Sequence, residues 1–181
     1  MPSNGDRPRR FTEVLRRQKA WHCSPTGSRD EKRTKTGEIL VNVSSPDHTG
    51  AVTDRNVLGG ELELCGTDPL TGFYRDGCCR TGPEDRGSHT ICAVVTAEFL
   101  EHQRRTGNDL STPMPQYGFP GLVPGARWCV TAVNWLRAHE DDAAAYVVLA
   151  STNERVLEIV SLAALQQHAV DVPEDPSMLG S

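Results

Sequence analysis

Apolar residues first fall into a legible pattern at 91–95, where ICAVV stands between His89-Thr90 and Thr96. An uninterrupted, β-branched run of this length predicts a strand buried on both faces. Thr96 then caps a helix over 97–106 (AEFLEHQRRT), with Glu98 in its first turn and Arg104 and Arg105 near its end. Phe99 and Leu100 face the core, and Gly107 is the left-handed stop. Further on, RWCV predicts a strand over 127–130, followed by a helix over about 131–141 with Val133, Trp135 and Leu136 inward. YVVLAS (146–151) predicts a strand and LEIV (157–160) another. Ser161 caps a last helix in which Leu162, Leu165 and Ala169 recur on one face. Short strands mixed with about three short helices define an α+β class, in one domain over 54–172. The strand order does not follow from the pattern.

Between these elements lie two long irregular segments. Residues 59–90 contain seven glycines and two prolines, and 107–125 contain four prolines. Such loops are uncommon in a compact domain and are usually either functional or disordered. Leu70, Phe73, Tyr74 and three cysteines in the first, and Leu110, Tyr117, Phe119 and Leu122 in the second, favour burial. Both are therefore expected to be ordered and to pack together.

Composition narrows the picture. The 181 residues suit one domain, and the mean hydropathy of -0.45 with 6% aromatics describes a polar chain rich in loop. Apolar runs fall far short of the ~20 residues that span a bilayer. The opening residues show no apolar secretory core, so a cytoplasmic location and no membrane partner are expected. Charge is uneven: residues 1–50 carry 10 Lys+Arg against 6 Asp+Glu, and 51–181 carry 9 against 18. Residues 1–53 are expected to be a disordered basic extension and 173–181 a disordered tail, since neither can bury enough apolar surface. The basic arm could bind nucleic acid but is read first as a solvated tail; the acidic domain argues against such a partner there, and the two packed loops make a small molecule its candidate ligand.

The strings Asn56-Val57-Leu58-Gly59-Gly60, Cys65 and TDPLTGFYRDGCC (67–79) are followed by HTICAVVT, GNDLSTP, FPGLVPG and RWC. Together they resemble a bacterial family of unknown function, DUF2237, over about 56–169. The resemblance implies no reaction, substrate or cofactor. Two positions depart from the family's pattern: Thr131 stands where many members carry a second cysteine, and Asn153 where many carry histidine.

The candidate chemistry lies in the cysteines. With a reducing compartment expected, the six are read as free thiols or metal ligands rather than structural disulfides. The spacing from Cys65 to Cys92 is C-x12-C-C-x9-H-x2-C. Cys65, Cys78, Cys79, His89, Cys92 and Cys129 are the candidate metal ligands, with zinc the candidate cofactor. In a thiol-based reading, Cys78 or Cys79 is the nucleophile, activated by Arg75 and Arg80 and served by His89 as base, with Asp76 or Asp68 orienting the imidazole. The pair could also close on itself as a vicinal disulfide. Cys92 and Cys129 are equally read as small buried hydrophobes. Asn108 and Asp109 with Ser111-Thr112 are read first as turn chemistry, and with Asp68 as candidate ligand contacts. Asp68, Glu84 and Asp85 suit turn caps, and His102, His139 and His168, on expected helix surfaces, receive no role. The chain holds no Walker loop, dinucleotide fingerprint or HExxH. The leading reading is thus a loop-built thiol or redox site around Cys78-Cys79. The alternatives are a zinc- or small-molecule-binding module, or an interaction protein with purely structural cysteines.

Overall fold

The apolar run at 91–95 does form a strand, and everything else is arranged about it. The computed structural model describes Cys23 and residues 54–171. The basic extension and the tail expected at 1–53 and 173–181 lie, Cys23 apart, outside the described residues. Strand β1 (Ile91–Val94) is the centre of a three-stranded antiparallel sheet, flanked by β2 (Arg127–Val130) and β3 (Tyr146–Val147) in the order β2-β1-β3. Three helices accompany it: α1 (Ala97–Arg105), α2 (Ala132–Glu140) and α3 (Leu162–Gln167).

The two-residue period of the strands sorts the domain into layers. Ile91 and Ala93 of β1 and Trp128 and Val130 of β2 face one side. There they join Phe99 and Leu100 of α1, Trp135 and Ala138 of α2, and Leu165 of α3. Cys92, Val94 and Cys129 face the other side, against Cys65, Cys79 and Val148. The sheet therefore separates a helical core from a layer built by the glycine-rich loop. Full burial of a large side chain such as Phe99 or Leu165, each 0% exposed, contributes about 1.5–3 kcal/mol.

Local signals act as expected at the helix starts. The Thr96 hydroxyl accepts from Phe99 N and the Ser161 hydroxyl from Ala164 N. Gly107, at φ +89°, follows α1. Several expectations fail, among them the burial of Leu70, Phe73 and Tyr74, which are exposed. Only Tyr146–Val147 of 146–151 is strand, because the chain turns into a 3-10 segment at Leu149–Ser151. That turn is held by the Asp171 carboxylate, which accepts from Leu149 N and Ala150 N. The stretch 157–160 is not a strand: Glu154–Glu158 is a 3-10 turn capped by the Asn153 side chain. On α2 it is Trp135 that turns inward, while Val133 is 42% exposed. Tyr117 is likewise 74% exposed, and of the second loop Phe119 and Leu122 are the buried anchors.

Candidate functional site: a two-disulfide sulfur cluster on the sheet

The first loop reaches the sheet through backbone bonds that glycine permits. Cys65 N and Gly66 N both donate to Gly77 O, and Gly77 N donates to Thr71 O, closing residues 65–77 into a compact lobe. Gly72 and Gly77 hold φ +93° and +85°, where a side chain would be strained. The Thr71 hydroxyl, fully buried, accepts from Cys129 N at 2.7 Å and so satisfies the outward-facing edge of β2. Across the sheet, β1 and β2 place Cys92 directly opposite Cys129.

This lobe delivers two cysteines onto two strand cysteines. Cys65 is bonded to Cys92 and Cys79 to Cys129, with Cα separations of 5.6 and 5.4 Å. All four are 0–1% exposed. The Sγ atoms of Cys65, Cys79 and Cys92 lie within 4.8 Å of one another, so the two disulfides are neighbours in one apolar chamber with Val94 and Val148. Cys78 points away from its neighbour and is bonded to Cys23 at a Cα separation of 6.1 Å, among Leu62 and Leu64. Cys23 is further tied down by its N–H, which donates to Leu62 O at 3.0 Å.

The expectation of free thiols is therefore corrected: all six cysteines are paired. The vicinal Cys78-Cys79 disulfide is corrected as well, because adjacent side chains diverge and enter different clusters. The candidate ligand set is divided. Cys65, Cys79 and Cys92 come together, Cys129 is joined to Cys79, and Cys78 and His89 fall outside the group. The arginine beside the pair is committed elsewhere. Arg80 bonds Asp54 at 3.0 Å and Asp76 at 3.3 Å, and lies 5.7 Å from the centre of the Tyr74 ring. Asp76 in turn accepts from Cys78 N, so it caps the turn at the disulfide rather than orienting an imidazole.

The carboxylate that orients His89 is Asp85, four residues earlier. Its side chain is completely buried, its Oδ1 is 2.7 Å from His89 Nδ1, and its Oδ2 accepts from His89 N and the Thr81 hydroxyl. Burial alone would raise its pKa. The hydrogen bonds from His89 and Thr81 outweigh that and hold it below the usual carboxylate range. An ionised Asp85 places the neutral imidazole's proton on Nδ1 and its lone pair on Nε2, which no described residue engages. The His89 side chain is 34% exposed and lies 5.7 Å from the Phe73 ring. Asp85 thus fixes the orientation of the ring, and the i, i+4 spacing of Asp85 and His89 was its signal in the sequence.

The proposed ligand contacts are otherwise occupied. Asp109 accepts from the backbone N–H and the hydroxyl of both Ser111 and Thr112, which holds its carboxyl far below the ordinary range. Asn108 donates to Gln103 at 2.7 Å. Both are turn chemistry. Asp68 is exposed and precedes a cis proline. Thr131 precedes α2, and the Asn153 side-chain oxygen accepts from Arg155 N while its Nδ2 is buried without a partner. Both loops contact Trp128: the Arg75 guanidinium lies 5.1 Å from its ring centre and the Phe119 ring centre lies at 5.3 Å. Residues passed over in the sequence include Cys23, whose partner lies 55 positions away, and the His139–His168 pair, whose Nδ1 and Nε2 are 3.1 Å apart.

Among the described residues, no helix is long and apolar enough to cross a membrane. Residues 55–169 match the model of a family described as an uncharacterized protein conserved in bacteria, DUF2237. Among curated proteins, none matches the chain.

Proposed function

The chain belongs to the DUF2237 family, and on that premise we propose that it is a thiol–disulfide redox protein of the bacterial cytoplasm. Its working centre is the four-sulfur cluster of Cys65, Cys79, Cys92 and Cys129. The observation that carries this reading is the Sγ triangle of at most 4.8 Å, which spans two separate disulfides. In a reducing compartment a disulfide that persists is usually redox-sensing or catalytic rather than structural. A dithiol reductant that opens Cys79–Cys129 is oxidised to its own disulfide and leaves two thiols in the protein. The Cys79 thiolate then needs only a small motion to attack a sulfur of Cys65–Cys92. That step forms one S–S bond and breaks another, with no net electron change. Cys23–Cys78, 7% and 4% exposed, is the least enclosed pair and the first point of attack for an external thiol. His89, with its free Nε2, is the available proton acceptor on the same loop.

The test is equilibration of the full chain in dithiol buffers of defined potential, followed by alkylation and peptide mapping. At least one of the two cluster disulfides is expected to open above about -300 mV, the range below which structural disulfides lie. Trapping a Cys65–Cys79 or Cys79–Cys92 linkage would demonstrate the exchange. Resistance of both pairs down to lower potentials would reduce them to staples.

A second reading rests on the same triangle. Four thiolates at about 2.3 Å from a tetrahedral zinc ion sit about 3.8 Å apart. Cys65, Cys79, Cys92 and Cys129 fit such a site only after both disulfides are reduced. Zinc uptake by the reduced protein, and not by the oxidised one, would establish it.

A further inference from the structure

On the helical side of the sheet the structure brings together two histidines from different elements. His139 lies on the last turn of α2 and His168 closes α3. Their rings stand edge to face at 5.2 Å, and His139 Nδ1 is 3.1 Å from His168 Nε2. Both are held in place. The His139 ring is stacked on Trp135 at 5.4 Å with 10° between planes, and His168 meets the same indole edge-on at 5.5 Å. Trp135 is fully buried and its Nε1–H donates to Ala145 O at 3.0 Å, so the platform is rigid. The backbone of His168 is fixed by its carbonyl, which accepts from Val147 N, and by its N–H, which donates to Leu165 O. Both imidazoles are half-buried, leaving one side open to water.

We infer that His139 and His168 form an open two-imidazole chelate for a divalent cation of the copper, nickel and zinc class. Two nitrogens bound to one ion at about 2.0–2.1 Å, at angles between square and tetrahedral, are about 2.9–3.4 Å apart. The observed 3.1 Å falls inside that window before any metal is present. With both rings neutral, one of the two nitrogens donates its proton to the other. Binding moves it through solvent to the other nitrogen of the same ring, so a neutral pair loses no net proton. Among the described residues no third Cys, His, Asp or Glu completes this pair, so its remaining positions belong to water or to a ligand from solution. Imidazole suits Cu2+, Ni2+ and Zn2+, and the order of affinities puts Cu2+ first.

The inference does not depend on the sulfur centre and is tested with that centre closed. The probe is CuCl2, then NiCl2 and ZnCl2, added to the fully oxidised chain in a non-chelating buffer and followed by calorimetry and tryptophan fluorescence. One Cu2+ is expected to bind and to quench the emission of Trp135, because the metal sits beside its ring. His139→Gln and His168→Gln should each weaken Cu2+ binding at least about tenfold, and the double variant little further, since either change destroys one chelate. His89→Gln should leave the titration unchanged. Far-UV circular dichroism confirms folding of each variant. Equal Cu2+ affinity in wild type and His139→Gln, or an equal loss on His89→Gln, overturns the site.

Discussion

Removing the Cys65–Cys92 bond gives the sharpest measure of what the sulfur cluster does in the resting protein. The bond closes a loop of sequence separation 27. In the chain-entropy treatment, closing a loop of that size restricts the unfolded ensemble by about 3.5 kcal/mol. The sulfurs are also 0–1% exposed, so Cys65→Ala with Cys92→Ala leaves a small void worth about another 1 kcal/mol. The loop overlaps the one closed by Cys79–Cys129, at separation 50, so the two contributions are not additive. The double variant is therefore expected to lose about 3–5 kcal/mol in urea unfolding, and about 10–20 °C in Tm for a domain of this size. Wild type treated with a phosphine reductant should lose stability too, without the void. A deficit below about 1 kcal/mol in the oxidised double variant would show that Cys65 and Cys92 are not bonded in the resting protein, because a cross-link of this span cannot be that weak without compensating strain.

Other expectations follow from the same coordinates. Gly72→Ala should destabilise by about 2–4 kcal/mol in chemical denaturation, since its Cβ would fall on the Cys78 carbonyl oxygen and 3.1 Å from Asp76 Oδ1 at φ +93°. Gly107→Ala, at φ +89° with nothing within 4 Å, should lose only about 1 kcal/mol. Trp135→Phe removes the donor to Ala145 O and strands a buried carbonyl, at about 1–3 kcal/mol by the same method. Stability should fall as pH drops through the ordinary histidine range near 6.5. His168 titrates lower when folded than unfolded, so the unfolded chain binds more protons in that interval. His168→Gln should flatten that slope, and an unchanged pH profile in the variant would refute the assignment. Asp85, also lowered in the folded state, acts in a separate window: its contribution is present above its unfolded pKa near 4 and is lost as pH falls through its lower folded value.

The Asp85–His89 pair precedes Cys92 in sequence by three residues and lies outside the sulfur group. His89 follows Ser88, whose φ of +53° is sparsely populated for serine and whose carbonyl accepts the first helical N–H of α2, from Ala132. The loop is thus anchored at the start of α2, and the imidazole is aimed by that anchor and by a buried carboxylate. Such support on both sides restricts the ring to one geometry.

What the amino-acid sequence determined by itself is the set of elements whose signals are local. The run at 91–95, the caps at Thr96 and Ser161, the stop at Gly107 and the strand at 127–130 all depend on neighbours within a few residues, and all stand in the structure. The turn at Asp109 was legible for the same reason: its four partners lie two and three positions away. Tertiary structure decided everything that joins distant residues. Which cysteine meets which depends on β1 and β2 pairing in the one register that sets Cys92 against Cys129, and on the 65–77 lobe folding onto that face. The end of β3 depends on Asp171, which lies 22 residues after the Leu149 N–H it accepts from. His139 and His168 looked like solvated helix positions because the helical period reports one element at a time. Only packing of α2 against the end of α3, over a shared tryptophan, places their nitrogens side by side.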